Sequence, residues 1–448
     1  MTTDCLGNPV TDTAPDLIAG INDFIEGFLA YQTRATTIMG CIDAHPESCL
    51  GNTYAGFLWM FLESPEAPTR AAPYLDRALA APGTAREKAN AQVLAAWVAG
   101  DIPEVIRRCE EIARAHPTDL AIIKFGQYHL FNIGDAAAML RLALHALPEG
   151  ETTPYVHSMV AFGYEQCHLL DEAEAAARRA MEIEPTDPWA HHALAHVMLT
   201  QGRVDEGIAF LESVAPSWAE LNSFMHTHNW WHLALFYISR DRQADVLAAF
   251  DAHVWAREKD YSQDQVGAVS LLARMEFAGI DVGERWEDVA RRIAARGPDT
   301  VSPFLALQYL YALTHAQLPE AEALMAAIRN RAAASAHDQA AWAEVALPAA
   351  LGIAAHATGD HAHAARELGR ALPRMSEIGG SHAQRDFFDQ IHLDSLVKAG
   401  RASAAQQVLE MRRTYDPDGI PLNRLLAQVY DDVGLPDLAG RVRARLAD

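Results

Sequence analysis

A chain of 448 residues, half of them hydrophobic and about a fifth charged, has ample apolar material for a buried core. Its 59 acidic against 36 basic side chains give a formal charge of −23. A field of that sign repels phosphate backbones and anionic lipid, which argues against nucleic acid or a membrane surface as partner.

Residues 1–14 are polar and expected to be flexible, and the stretch from Met1 to Gly20 lacks the basic and apolar regions expected of a signal peptide. Residues 32–53, which hold Cys41, Cys49 and two glycines, read as irregular. The five cysteines (Cys5, Cys41, Cys49, Cys109 and Cys167) are odd in number and form no C-x-x-C pair. That pattern fits a reducing cytoplasm better than a disulfide framework or a zinc knuckle. No apolar run approaches the length of a membrane span.

From residue 84 onward, helical hairpins follow one another. Candidates are 84–99 with 102–115, 118–132 with 135–147, 155–168 with 171–184, 187–201 with 204–214, and 222–240 with 243–257. Pro117-Thr118-Asp119 recurs as Pro185-Thr186-Asp187, a shift of 68 residues, twice the 34-residue tetratricopeptide period. Gly100, Gly134 and Gly202 lie on the same grid, with His168 at the point that lacks glycine. In the 155–184 unit Ala173, Ala177 and Ala180 allow close packing, and Pro185 stops the pair. Thr186 or Asp187 can cap the next helix. Later pairs run 263–279 with 284–296, 303–315 with 319–333, 337–358 with 360–377, 382–399 with 402–413, and 420–433 with 435–447. Their spacing drifts off the grid. The reading is an all-α, tetratricopeptide-like superhelix over 15–448, softly subdivided near Gly297-Pro298-Asp299 (297–302), with strands rare or absent.

Six of the 20 histidines fall within 187–232. His192 and His196 share a helix face, as do His228 and His232 one repeat on. Imidazole is the commonest side chain for transition metals, so these four could hold zinc, iron or manganese. The repeat register places all four, and Glu165 of the preceding unit, on the concave side, walled by Trp231. The bland reading of any one such histidine is a core residue with a single hydrogen bond. The rival functional reading is metal-free acid–base chemistry, with His191 beside the cluster. H-E-x-x-H is absent, so the zincin pattern is not met.

A second constellation is Gly379-Gly380-Ser381-His382-Ala383-Gln384-Arg385-Asp386. Gly-Gly breaks one helix and Ser381 caps the next. A helix start bearing Ser381, His382, Gln384 and Arg385 could hold a carboxylate, with Asp386 as a further acid–base group. The plain reading is a turn and a cap.

Ala161-Phe162-Gly163-Tyr164-Glu165, the 187–198 string, His228-Asn229-Trp230-Trp231-His232-Leu233-Ala234-Leu235, and the Gly379–Ser381 and Gln384–Asp386 strings together resemble the tetratricopeptide repeat protein 38-like family. The likeness runs over about residues 15–445. It implies a superhelix with a polar, His-bearing interior and joins both constellations into one site. It carries no family-wide activity. Glu165-Gln166-Cys167-His168 departs from the family's acidic pair and glycine, which weakens any role for Glu165.

Two functions follow. One is a small-molecule enzyme or binder, of hydrolase or lyase type, in which the histidines hold a divalent metal or act directly and the 381–386 segment grips a polar, carboxylate-bearing ligand. The alternative is a scaffold that binds an extended peptide. Closure of 379–386 over the histidines favours a small ligand; an open trough favours a peptide.

Overall fold

The computed structural model describes residues 2–447 and is all-α, a succession of antiparallel helical hairpins of tetratricopeptide type. Among the described residues, strand is confined to the two-residue pair Thr2–Thr3 and Pro9–Val10 and a bridge between Gln32 and Leu221. The chain forms two compact units. One comprises the residues up to Ala193 together with Ser217–Met225, and the other Leu194–Pro216 with everything from His226 on. The subdivision expected near 297–302 falls inside the second unit. There Asp299 is buried, paired with Arg296 at 2.7 Å, and accepts from the Val301 backbone N–H.

In the first unit the hairpins are Ala85–Val98 with Ile102–Ala115, Leu120–Asn132 with Ala136–Leu144, and Val156–Gln166 with Leu170–Ile183. The helix starts of the first two are capped: Thr84 and Glu87 form a capping box, and Asp101, Asp119 and Asp135 each accept a backbone N–H three residues on. The 34-residue grid is a grid of left-handed turns. Gly100, Gly134 and Gly202 have φ of 74°, 76° and 70°, and His168 takes φ 57° at the point without glycine. Ala173, Ala177 and Ala180 are buried as the packing pattern required.

The N-terminal residues differ from the expected flexible lead. Asp4 is buried and pairs with Arg86, Asn8 bonds Thr118, Thr11 bonds Glu87, and Ser48 donates to Asp12. Polar composition here reflects partners far along the chain, which a local reading misses. The stretch 32–53 is also more regular than expected, with helices Thr37–Ala44 and Cys49–Met60. Gly51 serves close packing there, since a Cβ on it would collide with Ile42, and Cys41 leaves no room for a Cβ on Gly20 of the preceding helix. Aromatic rings knit this end together, Phe57 and Phe125 at 4.1 Å and Phe24 and Tyr54 at 4.1 Å between centroids.

The second unit holds the longer helices. Ser223–Ser239, Ser262–Phe277 and His382–Lys398 have 17, 16 and 17 residues, against 13 for Leu120–Asn132. The extra turn carries the array off the 34-residue grid. The unit also folds back on itself. Ser239 donates to Asp416, Arg240 to the Asp418 carbonyl, and Arg424 to Asp241, while the Tyr415 carbonyl lies where a Cβ on Gly202 would sit. Against expectation, one continuous helix, Gln339–Ala357, is long and apolar enough by composition to cross a bilayer. Trp342, Val345, Ala349 and Ile353 on it are buried in the fold, which accounts for their apolar character.

Candidate functional site

In the first unit, Asp187 provides the cap expected of Thr186 or Asp187. Its Oδ1 accepts from the Trp189 and Ala190 backbone at 2.9 and 3.3 Å. The cap opens Pro188–Thr200, whose first turns belong to the first unit and whose remainder belongs to the second. His191 has both ring nitrogens engaged: Nδ1 accepts from Trp218 Nε1 at 3.2 Å, and Nε2 donates to the Pro185 carbonyl at 3.0 Å. Burial pushes its pKa down to about 4. His191, expected as an acid–base group, thus meets partners within the fold at both nitrogens. His192 stacks on Trp189, centroids 4.3 Å apart, and leans on Phe162 at 5.1 Å. Glu165 is fully buried and accepts from Gln166 at 2.5 Å.

In the second unit the remaining histidines come together. His196, one turn after His192, meets His232 with centroids 4.5 Å apart, and His232 meets His228 edge-on at 4.8 Å. One ring nitrogen from each of His196, His228 and His232 lies within 4.8 Å of the other two. His196 and His232 are fully buried. Burial, with His196 beside it, pushes His228 down to about 3, which leaves it neutral at pH 7. Trp231 stacks on His228 as the expected wall, its Nε1 donating to Ser270 at 2.9 Å. Register therefore placed these rings together, but in an interior and not on an open concave face.

The 379–386 segment closes onto them. His382 sits 5.1 Å from His196 between centroids, and its Nε2 is 3.0 Å from Thr200 Oγ1. Its other groups are committed within the fold. Ser381 and Gln384 form a capping box: Gln384 N donates to Ser381 Oγ at 3.2 Å, and Ser381 N donates to Gln384 Oε1 at 2.9 Å. Arg385 donates to the Gly380 carbonyl. Asp386 accepts from Arg412 and, at 2.7 Å, from Gln390. Burial would raise Asp386, but Arg412 and Arg274 outweigh it and hold the carboxyl down at about 2. Asp386, expected as an acid–base group, is held in an ion pair with Arg412. The plain reading of a turn and cap holds for Ser381 and Gln384.

Interior cations escaped the sequence reading, Arg274 and Lys124 among them. Arg274, 3% exposed, donates to the Ala383 carbonyl at 2.7 Å and lies over the Trp231 ring at 5.3 Å. It fixes the 383–384 backbone against the Trp231 wall. In the first unit Lys124 is buried, donates to the Phe28 and Leu29 carbonyls at 2.9 Å each, and sits 3.5 Å from the Tyr31 ring centroid. Burial draws its pKa well below the usual lysine value. The available signal was a lone arginine or lysine in a largely apolar stretch, at 266–275 and at 120–126.

A tetratricopeptide-repeat profile matches residues 169–217. Among solved structures, the chain is similar to the human IFIT1 dimer with m7Gppp-AAAA, at 12% identity over 98% of this chain and 95% of that one, TM-score 0.44. It is also similar to the APC/C hetero-tetramer Cut9–Hcn1, at 12% identity over 96% and 86%, TM-score 0.30. A further likeness is to Naa15/Naa10 bound to HypK-THB, at 12% identity over 96% and 68%, TM-score 0.26.

Proposed function

We propose that this chain is an interaction protein of tetratricopeptide type that holds an extended peptide segment of a partner along its hairpins. The observation that carries the reading is the commitment of the groups that a small-molecule enzyme would need. Ser381 and Gln384 serve a cap, Arg385 and Arg274 serve backbone carbonyls, Asp386 serves Arg412, and His191 serves Trp218 and Pro185. What remains for recognition is the repeat array, supported by the profile match at 169–217. In the same reading the chain is kin to the tetratricopeptide repeat protein 38-like family and acts in the cytoplasm.

A second reading is favoured by one observation, the closure of His382 and its segment onto His196 and Thr200. It makes the chain a binder of a small carboxylate-bearing molecule, with no reaction assigned. Two panels separate them. The first is a set of labelled 15-residue peptides spanning cationic, neutral and anionic sequences, read by fluorescence anisotropy. The second is a set of small mono- and dicarboxylates read by thermal shift, where ligand at 100 times its Kd stabilises by about 2.7 kcal/mol. Saturable one-to-one binding of a subset of peptides supports the interaction reading. A thermal shift with carboxylates and silence across the peptides overturns it for the second.

A further inference from the structure

We infer that His196, His228 and His232 form a transition-metal site inside the second unit. The donors come from two helices, His196 on Pro188–Thr200 and the i,i+4 pair His228 and His232 on Ser223–Ser239. Each offers one ring nitrogen, and the three nitrogens lie within 4.8 Å of one another. An ion with metal–nitrogen bonds of about 2.1 Å in tetrahedral geometry holds its nitrogens about 3.4 Å apart. Modest side-chain rotation closes that difference without moving a helix.

The surroundings fit the same assignment. Two of the rings are fully buried. Trp231, itself anchored on Ser270, fixes the face of His228.

The donor set also selects the ion. It is all nitrogen, with no carboxylate among the three, which disfavours calcium and magnesium and suits zinc, copper or nickel. Manganese, which prefers oxygen, fits less well than it did in the sequence reading. Because the site lies in the interior of the second unit, it does not depend on whether the array binds a peptide.

The test uses the full-length, untagged protein, stripped with chelator, equilibrated with zinc chloride or cobalt chloride, desalted, and measured by elemental analysis. About one zinc or cobalt per chain is expected, the cobalt form showing the visible absorption of a low-coordinate nitrogen site. His196→Asn and His232→Asn are expected to lose the metal while keeping wild-type helical circular dichroism. His129→Asn, which alters an equally buried histidine in the first unit, is expected to retain it. If a variant at 196 or 232 fails to fold, His228→Gln supplies the same readout. The inference is overturned if the folded wild-type protein retains no zinc or cobalt. It is also overturned if metal persists undiminished in the folded ligand variants, or is lost equally in His129→Asn.

Discussion

Arg86 is the group on which the N-terminal residues depend. It is 3% exposed, donates to Asp119 at 2.8 Å and to Asp4 at 3.3 Å, and reaches the Pro9 carbonyl at 3.3 Å. Burial raises the Asp4 carboxyl despite Arg86, the largest opposing influence. Arg86→Met keeps the volume but leaves two carboxylates buried beside each other. Removing one partner of a buried ion pair costs about 3–5 kcal/mol. For a unit of this size each kcal/mol moves the melting temperature by about 2–4 °C, so a fall of roughly 6–20 °C is expected in the first unit's transition. Hydrogen exchange should show residues 2–10 opening first. The sign of the pH effect follows from the raised carboxyl. Its folded-state value exceeds its unfolded one, so the penalty is largest where Asp4 must ionise and shrinks as pH falls through that folded value. Arg86→Met combined with Asp4→Asn should recover part of the loss at pH 7. A loss below about 1 kcal/mol with unchanged exchange at 2–10 would refute the clamp, since that is the scale of an ordinary exposed pair.

Other outcomes are equally specific. Asp389 is raised to about 6 by burial and by Asp386, so the folded chain retains a proton that the unfolded chain gives up from about pH 4. Its favourable contribution is present below about pH 4 and lost as pH rises through about 6, and Asp389→Asn should flatten thermal stability over that window. Gly207→Ala would drive a Cβ into the Phe236 ring and should cost about 1–3 kcal/mol in urea denaturation. His191→Leu removes the acceptor of the buried Trp218 indole N–H and should cost about 1–3 kcal/mol while leaving metal content unchanged. Arg274→Met should loosen the 383–384 backbone, seen as faster amide exchange at the start of the His382–Lys398 helix.

The repeat architecture was legible because its signals are local. A left-handed turn every 34 residues needs glycine, and at 168 a histidine accepts the strain, so the grid could be read through the gap. Proline stops, Asp caps and small residues at helical spacing did the rest. The i,i+4 histidine pairs were legible for the same reason, since a helix face follows from spacing alone. What could not be read is which way that face looks. Whether Ser381, Arg385 and Asp386 meet a ligand or the fold depends on Arg412, Arg274 and Gln390, which lie on other helices or further along their own. The polar N-terminal residues posed the same problem: Asp4 and Thr11 look solvated until Arg86 and Glu87 are placed beside them. The added turn in Ser223–Ser239 and Ser262–Phe277 erased the period in the second half without changing the architecture.

Recognition of a peptide by the array can be read from hydrogen–deuterium exchange on the full chain with and without the tightest peptide from the panel. Slowed exchange on several successive hairpins, 169–217 among them, is the expected result. Protection confined to 379–386 and the helices bearing His196, His228 and His232 would contradict it and point to a small ligand held in the closed interior.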